Sequence, residues 1–183
     1  VYTDFNIYNN YLRIFQKQFI SPLAKGSWLT YKYFITDSIK SGDTTYYRMD
    51  FKPRREQDLA FNGYLITDNK SHGLKEINLS IPKRCNINFI EEFEIKQKYS
   101  IKDSIWVLDY ESILIDVNPL QKSYGFYIQK NTYWMNYSFY ASKSDILFTS
   151  AQKTEVSDSA YEYGDLLLEK YRPVKLEKHE DSI

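Results

Sequence analysis

The chain has 183 residues, with 24 basic and 24 acidic side chains and a formal net charge of zero. That balance argues against a nucleic-acid binder, which needs a basic excess to meet phosphate. With 43% apolar and 26% charged residues the chain reads as folded rather than disordered. Eighteen Tyr, eleven Phe and three Trp make 17% of it, a composition suited to pleated, half-buried surfaces.

Residues 1–25 leave two readings open. Tyr8, Tyr11, Leu12, Phe15 and Phe19 have loose helical spacing up to Ser21-Pro22, and a turn followed by a strand fits as well. From Trp28 the period changes to two. Leu29, Tyr31, Tyr33 and Ile35 alternate with Thr30, Lys32 and Phe34, Ser41-Gly42-Asp43 turns the chain, and Tyr47, Met49 and Phe51 alternate with Tyr46, Arg48 and Asp50. This is a hairpin with one dry and one wet face, closed by Pro53. A second pair spans 59–67 and 74–81, and Gly63 within it predicts a bulge or a bend. Further strands are expected over 88–100, 104–117, 124–129 and 133–141, with Trp106, Leu108 and Tyr110 on one face and Ile113, Ile115 and Val117 on one face. Helical periodicity returns over 158–173, capped at Ser157 or Asp158 and ended by Pro173, and 174–183 is a polar tail. The expected fold is mainly β, with some α. It is a strongly curved antiparallel meander of about eight strands, a half-barrel over 1–157 packed on one or two helices.

Motifs of catalysis are missing from the sequence. His72 and His179 have no cysteine or acid at ligand spacing, so no metal site is expected. No phosphate loop, nucleophile elbow or dinucleotide fingerprint occurs, and no cofactor is expected. Glu92 and Glu94 alternate with Phe93 and Ile95, as on the wet side of a strand, rather than as paired acids of a glycosidase. The single cysteine, Cys85, can form no disulfide within these residues and reads as a small packed side chain. No apolar run reaches the ~20 residues of a membrane-spanning helix. The chain opens on Val1 without a signal-peptide pattern, which predicts that the numbering starts inside a longer protein. Core packing accounts for most of the aromatic excess. The functional alternative is a concave apolar groove, with Tyr47, Met49, Phe51, Trp106, Tyr110 and Trp134 as its candidate lining.

Several strings carry a family resemblance: Tyr8-Asn9-Asn10, Phe19-Ile20-Ser21-Pro22-Leu23-Ala24, Tyr31-Lys32-Tyr33, Asn86-Ile87-Asn88-Phe89 and Tyr171-Arg172-Pro173-Val174. The most specific is Pro53-Arg54-Arg55-Glu56-Gln57-Asp58, followed by Phe61-Asn62-Gly63. Together they resemble a domain-of-unknown-function family of large Bacteroidota outer-membrane proteins. Its members carry an N-terminal carboxypeptidase regulatory-like domain, a central periplasmic region and a C-terminal β-barrel. The resemblance assigns this chain to the central region. Where that family has Trp in its last helix, this chain is Leu-rich. The strand pattern is also similar to the lipoprotein-carrier (LolA/LolB-like) half-barrel. The resemblance implies a non-catalytic domain at the periplasmic face of the outer membrane, membrane-associated only through the parent barrel. Its expected ligand is a lipid, lipoprotein or hydrophobic polypeptide segment. The alternative is a structural domain that positions the barrel or an envelope protein partner, and a carbohydrate-active enzyme is the remote third reading. No catalytic residue is carried over.

Overall fold

Alternating side chains from Tyr31 onward build one antiparallel meander. The computed structural model describes residues 5–85, 87–118, 125–137 and 139. Nine strands lie among them: β1 (Tyr11–Ile14), β2 (Lys17–Ile20), β3 (Tyr31–Ser41), β4 (Thr44–Pro53), β5 (Asn62–Asp68), β6 (Leu74–Ser80), β7 (Ile90–Lys102), β8 (Ile105–Val117) and β9 (Phe126–Tyr133). Strands β3 to β9 form a seven-stranded sheet in sequence order, and β1 and β2 form a separate two-stranded ladder. The sheet is open among the described residues, with β3 and β9 as its outer strands.

The N-terminal segment resolves the choice left open by its sequence. It is a hairpin, not a helix, and Phe15 and Gln16 form its two-residue turn at φ 45° and 64°. Burial explains the preference. Leu12, Ile14 and Phe19 are buried, whereas Tyr8 and Tyr11, needed for a helical stripe, are each 56% exposed. Two other expectations change. Where strands were foreseen at 124–129 and 133–141, the described residues hold one strand, β9, which runs through Lys130 to Thr132 opposite β8, and 124, 138, 140 and 141 lie outside the described residues. The helix expected over 158–173 and the tail over 174–183 lie outside the described residues. The single helical element among the described residues is a 3-10 turn, Ser27–Leu29.

Register places the core. One row across the sheet runs Phe51, Gly63, Leu79, Ile95, Ile113, and the next runs Met49, Leu65, Ile77, Gln97, Glu111. Ile7, Leu12, Ile14 and Phe19 pack against these rows in a single buried cluster. Burying each such side chain stabilises the fold by about 1.5–3 kcal/mol, so this N-terminal segment contributes substantially to the core. Tyr31 ties it down. Its hydroxyl donates to the Ile20 carbonyl at 2.5 Å and accepts from the Phe61 amide at 3.0 Å.

Bulges adjust which face each strand presents. Register shifts leave Thr36, Lys75, Glu91 and Asp109 as the extra residues in β3, β6, β7 and β8. The shift at Lys75 turns Leu74 into the core, where it is 4% exposed. Each bulge also bends and twists its strand, which suits the curvature expected of the sheet. Gly63, expected to mark a bulge or a bend, is not a bulge. The ladder is regular there, and at φ 155° an added Cβ would lie 1.9 Å from the Asn78 carbonyl oxygen.

Candidate functional site

Three of the six candidate groove residues come together. Tyr47, Met49 and Phe51 descend along one face of β4 from the open hairpin tip into the core. Tyr47 is 40% exposed, Met49 is half-buried opposite Leu65, and Phe51 is buried edge-on against Tyr31 with ring centroids 5.7 Å apart. The other three go elsewhere. The Trp106 indole donates to Ser71 Oγ at 2.9 Å and lies on Gly73, so it caps the β5–β6 turn. Tyr110 packs on Tyr133, with ring centroids 4.9 Å apart, and donates to Asn131 Oδ1 at 3.0 Å. Trp134 follows the end of β9, and its amide donates to the Asp109 carbonyl at 2.9 Å.

The bulge at Asp109 separates them. Leu108 pairs with Tyr99, but Tyr110 pairs with Lys98, so the even-numbered residues change faces between them. Tyr99 packs on the core, and Tyr110 therefore points to the opposite, polar side. The expectation that Trp106, Leu108 and Tyr110 share a face does not survive the bulge. No bulge residue such as Gly marks that position, so the sequence carried no signal for it.

The middle of the apolar face is filled by Ile7, Leu12, Ile14 and Phe19. Polar groups clasp this cover in place. Gln97, 1% exposed, donates from Nε2 to the Phe5 carbonyl at 2.9 Å and to Glu111 Oε2 at 2.6 Å, and Tyr99 donates to Gln97 Oε1 at 2.8 Å. Burial, with smaller contributions from Tyr8 and Glu111, pushes the Tyr99 phenol well above its ordinary range. Tyr31 is pushed up in the same direction, chiefly by burial. Neither phenol is poised to lose a proton near neutrality, as general-base work would require.

The two acids weighed for a glycosidase, Glu92 and Glu94, lie on the same strand, β7. Glu94 accepts from Asn78 Nδ2 at 2.5 Å, and Glu92 stands opposite Asp116 on β8. Among the described residues no group of three His, Cys, Asp or Glu side chains could hold a metal ion. Cys85 is buried, with its thiol 3.5 Å from the Asp58 carbonyl.

Strand β3 is different in kind. Among the described residues it bonds on one side only, to β4, along its whole eleven-residue length. Phe34, Ile35 and Ile39 on it are 46%, 68% and 59% exposed. At its head lies a cleft of about 250 Å³, lined in part by Tyr11, Ile20, Lys25, Leu29 and Thr30. The Arg54 loop braces this end. The Arg54 amide donates to the Thr30 carbonyl at 2.7 Å, and its Nε donates to the Trp28 carbonyl at 3.0 Å. Arg55 pairs with Asp58, and Arg84 with Glu56, at 3.2 and 2.9 Å. The most distinctive string of the sequence thus anchors the head of the edge strand. No motif-level signal pointed to the edge itself, because an edge is a property of strand order.

No curated protein and no solved structure is significantly similar to the chain. A family model matches residues 1–140, which span β1 to β9, and the chain belongs to that family, a family of unknown function, DUF5686.

Proposed function

We propose that this chain is a non-catalytic docking domain of the cell envelope, which holds an extended polypeptide segment along the outer edge of β3. The observation that carries the reading is that edge. Eleven residues bond on one side only among the described residues, with exposed apolar side chains to both faces. An added strand gains main-chain hydrogen bonds from such an edge and specificity from alternate side chains. Lys32, Lys40 and the Thr36 bulge limit indiscriminate edge-to-edge pairing, which favours a cognate partner over aggregation. The filled middle of the apolar face supports this reading over a lipid carrier, because Phe19 and its neighbours already occupy the space an acyl chain would need. The resemblance to outer-membrane proteins with a regulatory-like domain and a barrel supports a periplasmic setting within a longer protein, and an envelope polypeptide as partner.

Photocrosslinking in cells tests it. A benzoylphenylalanine placed at Ile35 or Ile39 of the parent protein is expected to form a polypeptide adduct, and one at exposed Asp103 on the β7–β8 turn is not. Absence of adducts from both edge positions, together with a stoichiometric lipid in native mass spectra, would replace the docking reading with a carrier. Osmotic-shock fractionation and protease protection of intact cells check the setting. A cytoplasmic pool would overturn it.

A further inference from the structure

We infer that the β3 edge receives the C-terminal strand of a polypeptide, with its last side chain in the cleft at the head of β3 and its free carboxylate beside Lys25. This rests on the docking reading above and names the kind of segment docked.

Direction comes from the sheet. Every pair in it is antiparallel. A strand added antiparallel to β3 runs from the Gly42 turn toward Tyr31. Its C-terminal end therefore arrives at the head of β3, where the cleft lies. A cleft of about 250 Å³ is of a size to take one large side chain. Its lining includes the apolar Tyr11, Ile20 and Leu29 together with Lys25 and Thr30, so it offers apolar contact beside a cation and a hydroxyl.

Charge points the same way. Lys25, Lys32, Lys52 and Arg54 flank the head of β3, whereas its far half carries Lys40 between the acids Asp37 and Asp43. Lys32 and Lys52 are direct register partners on adjacent strands. Like charges placed opposite one another destabilise a sheet. Among the described residues neither lysine, nor Lys25, has an ion-pair partner. An arriving carboxylate meets this basic head of the strand, and a chain end supplies one at the strand terminus without needing any particular side chain. Capture of a terminal carboxylate combined with strand addition is a recurrent mode of peptide recognition.

The probe is a fluorescein-labelled octapeptide, KTVTVTVF, with a free C-terminus, compared with the same peptide amidated. Fluorescence polarisation at low salt is expected to show binding of the acid about tenfold or more tighter than the amide, the loss of one charge-assisted contact. Lys25→Gln is expected to erase the difference, and Lys32→Gln to narrow it. Lys25 is exposed, so its replacement leaves the fold intact, which circular dichroism checks. Equal binding of acid and amide overturns the carboxylate reading while leaving edge docking in place. Binding of neither peptide overturns it as well, and crosslinking from Ile35 then decides whether the edge docks anything.

Discussion

At the residue scale, a few side chains carry constraints out of proportion to their size. Gly63 is one, because its backbone lies in a region that side chains rarely adopt and within van der Waals reach of β6. Gly63→Ala is expected to cost more than about 2 kcal/mol, read as a lowered urea midpoint. Tyr31 is another. Tyr31→Phe strands the buried Phe61 amide without its acceptor, at about 1–3 kcal/mol by chemical denaturation. Asp68 acts through charge. The Ser71 hydroxyl, then the Lys70 and Ser71 amides, hold its carboxyl below the ordinary range. A depressed pKa means that this stabilisation is present above the unfolded value, about 3.9, and is lost as pH falls through the folded one. Asp68→Asn is therefore expected to destabilise at pH 7 and to flatten the acid limb of the stability profile. Thermal melts from pH 7 down to pH 3 check both parts.

At the scale of elements, the β1–β2 hairpin is the unit whose sequence and role are most at odds. It covers the core, yet its turn is built from Phe15 and Gln16 at positive φ, where Asn-Gly is the favoured pair. Replacing them by Asn and Gly is expected to stabilise the fold by about 1 kcal/mol, seen as a higher melting temperature. Phe19→Ala works in the other direction, at about 3–5 kcal/mol, because Phe19 is fully buried and packs on Phe61 in a tilted pair with ring centroids 5.1 Å apart. The bulges set a second kind of constraint. They decide which side chains reach the core, as with Leu74, and which leave it, as with Tyr110.

At the scale of the described sheet, two outer strands and one filled face define what is available for contact. Ile35, exposed on β3, contributes little to stability. Ile35→Lys is expected to change the unfolding free energy by no more than about 0.5 kcal/mol while abolishing crosslinking from neighbouring edge positions. A large loss of stability with retained partner capture would show that the edge is structural. The family assignment leaves activity open; among the described residues burial pushes the Tyr31 and Tyr99 phenols up, and Glu94 is held by Asn78.

Period-two alternation made the β3–β4 hairpin, the Ile77–Leu79 face of β6 and the Ile113–Val117 face of β8 legible from residues alone, because each pattern is local to its strand. What pairs with what, and what covers the sheet, was decided by contacts distant in sequence. The hairpin at 11–20 was ambiguous by itself, since its apolar spacing satisfied two periods. Only packing under Phe61, Leu79 and Ile95 selected the strand form. The groove proposed from six residues divided for a similar reason. One extra residue at Asp109 reverses every side chain beyond it, and such a shift is visible only in the register with β7. An edge strand, likewise, is known from its missing neighbour. By itself the sequence determined a mostly β chain with no catalytic motif. The tertiary structure decided which face was already occupied and, among the described residues, which strands stand at the edges of the sheet.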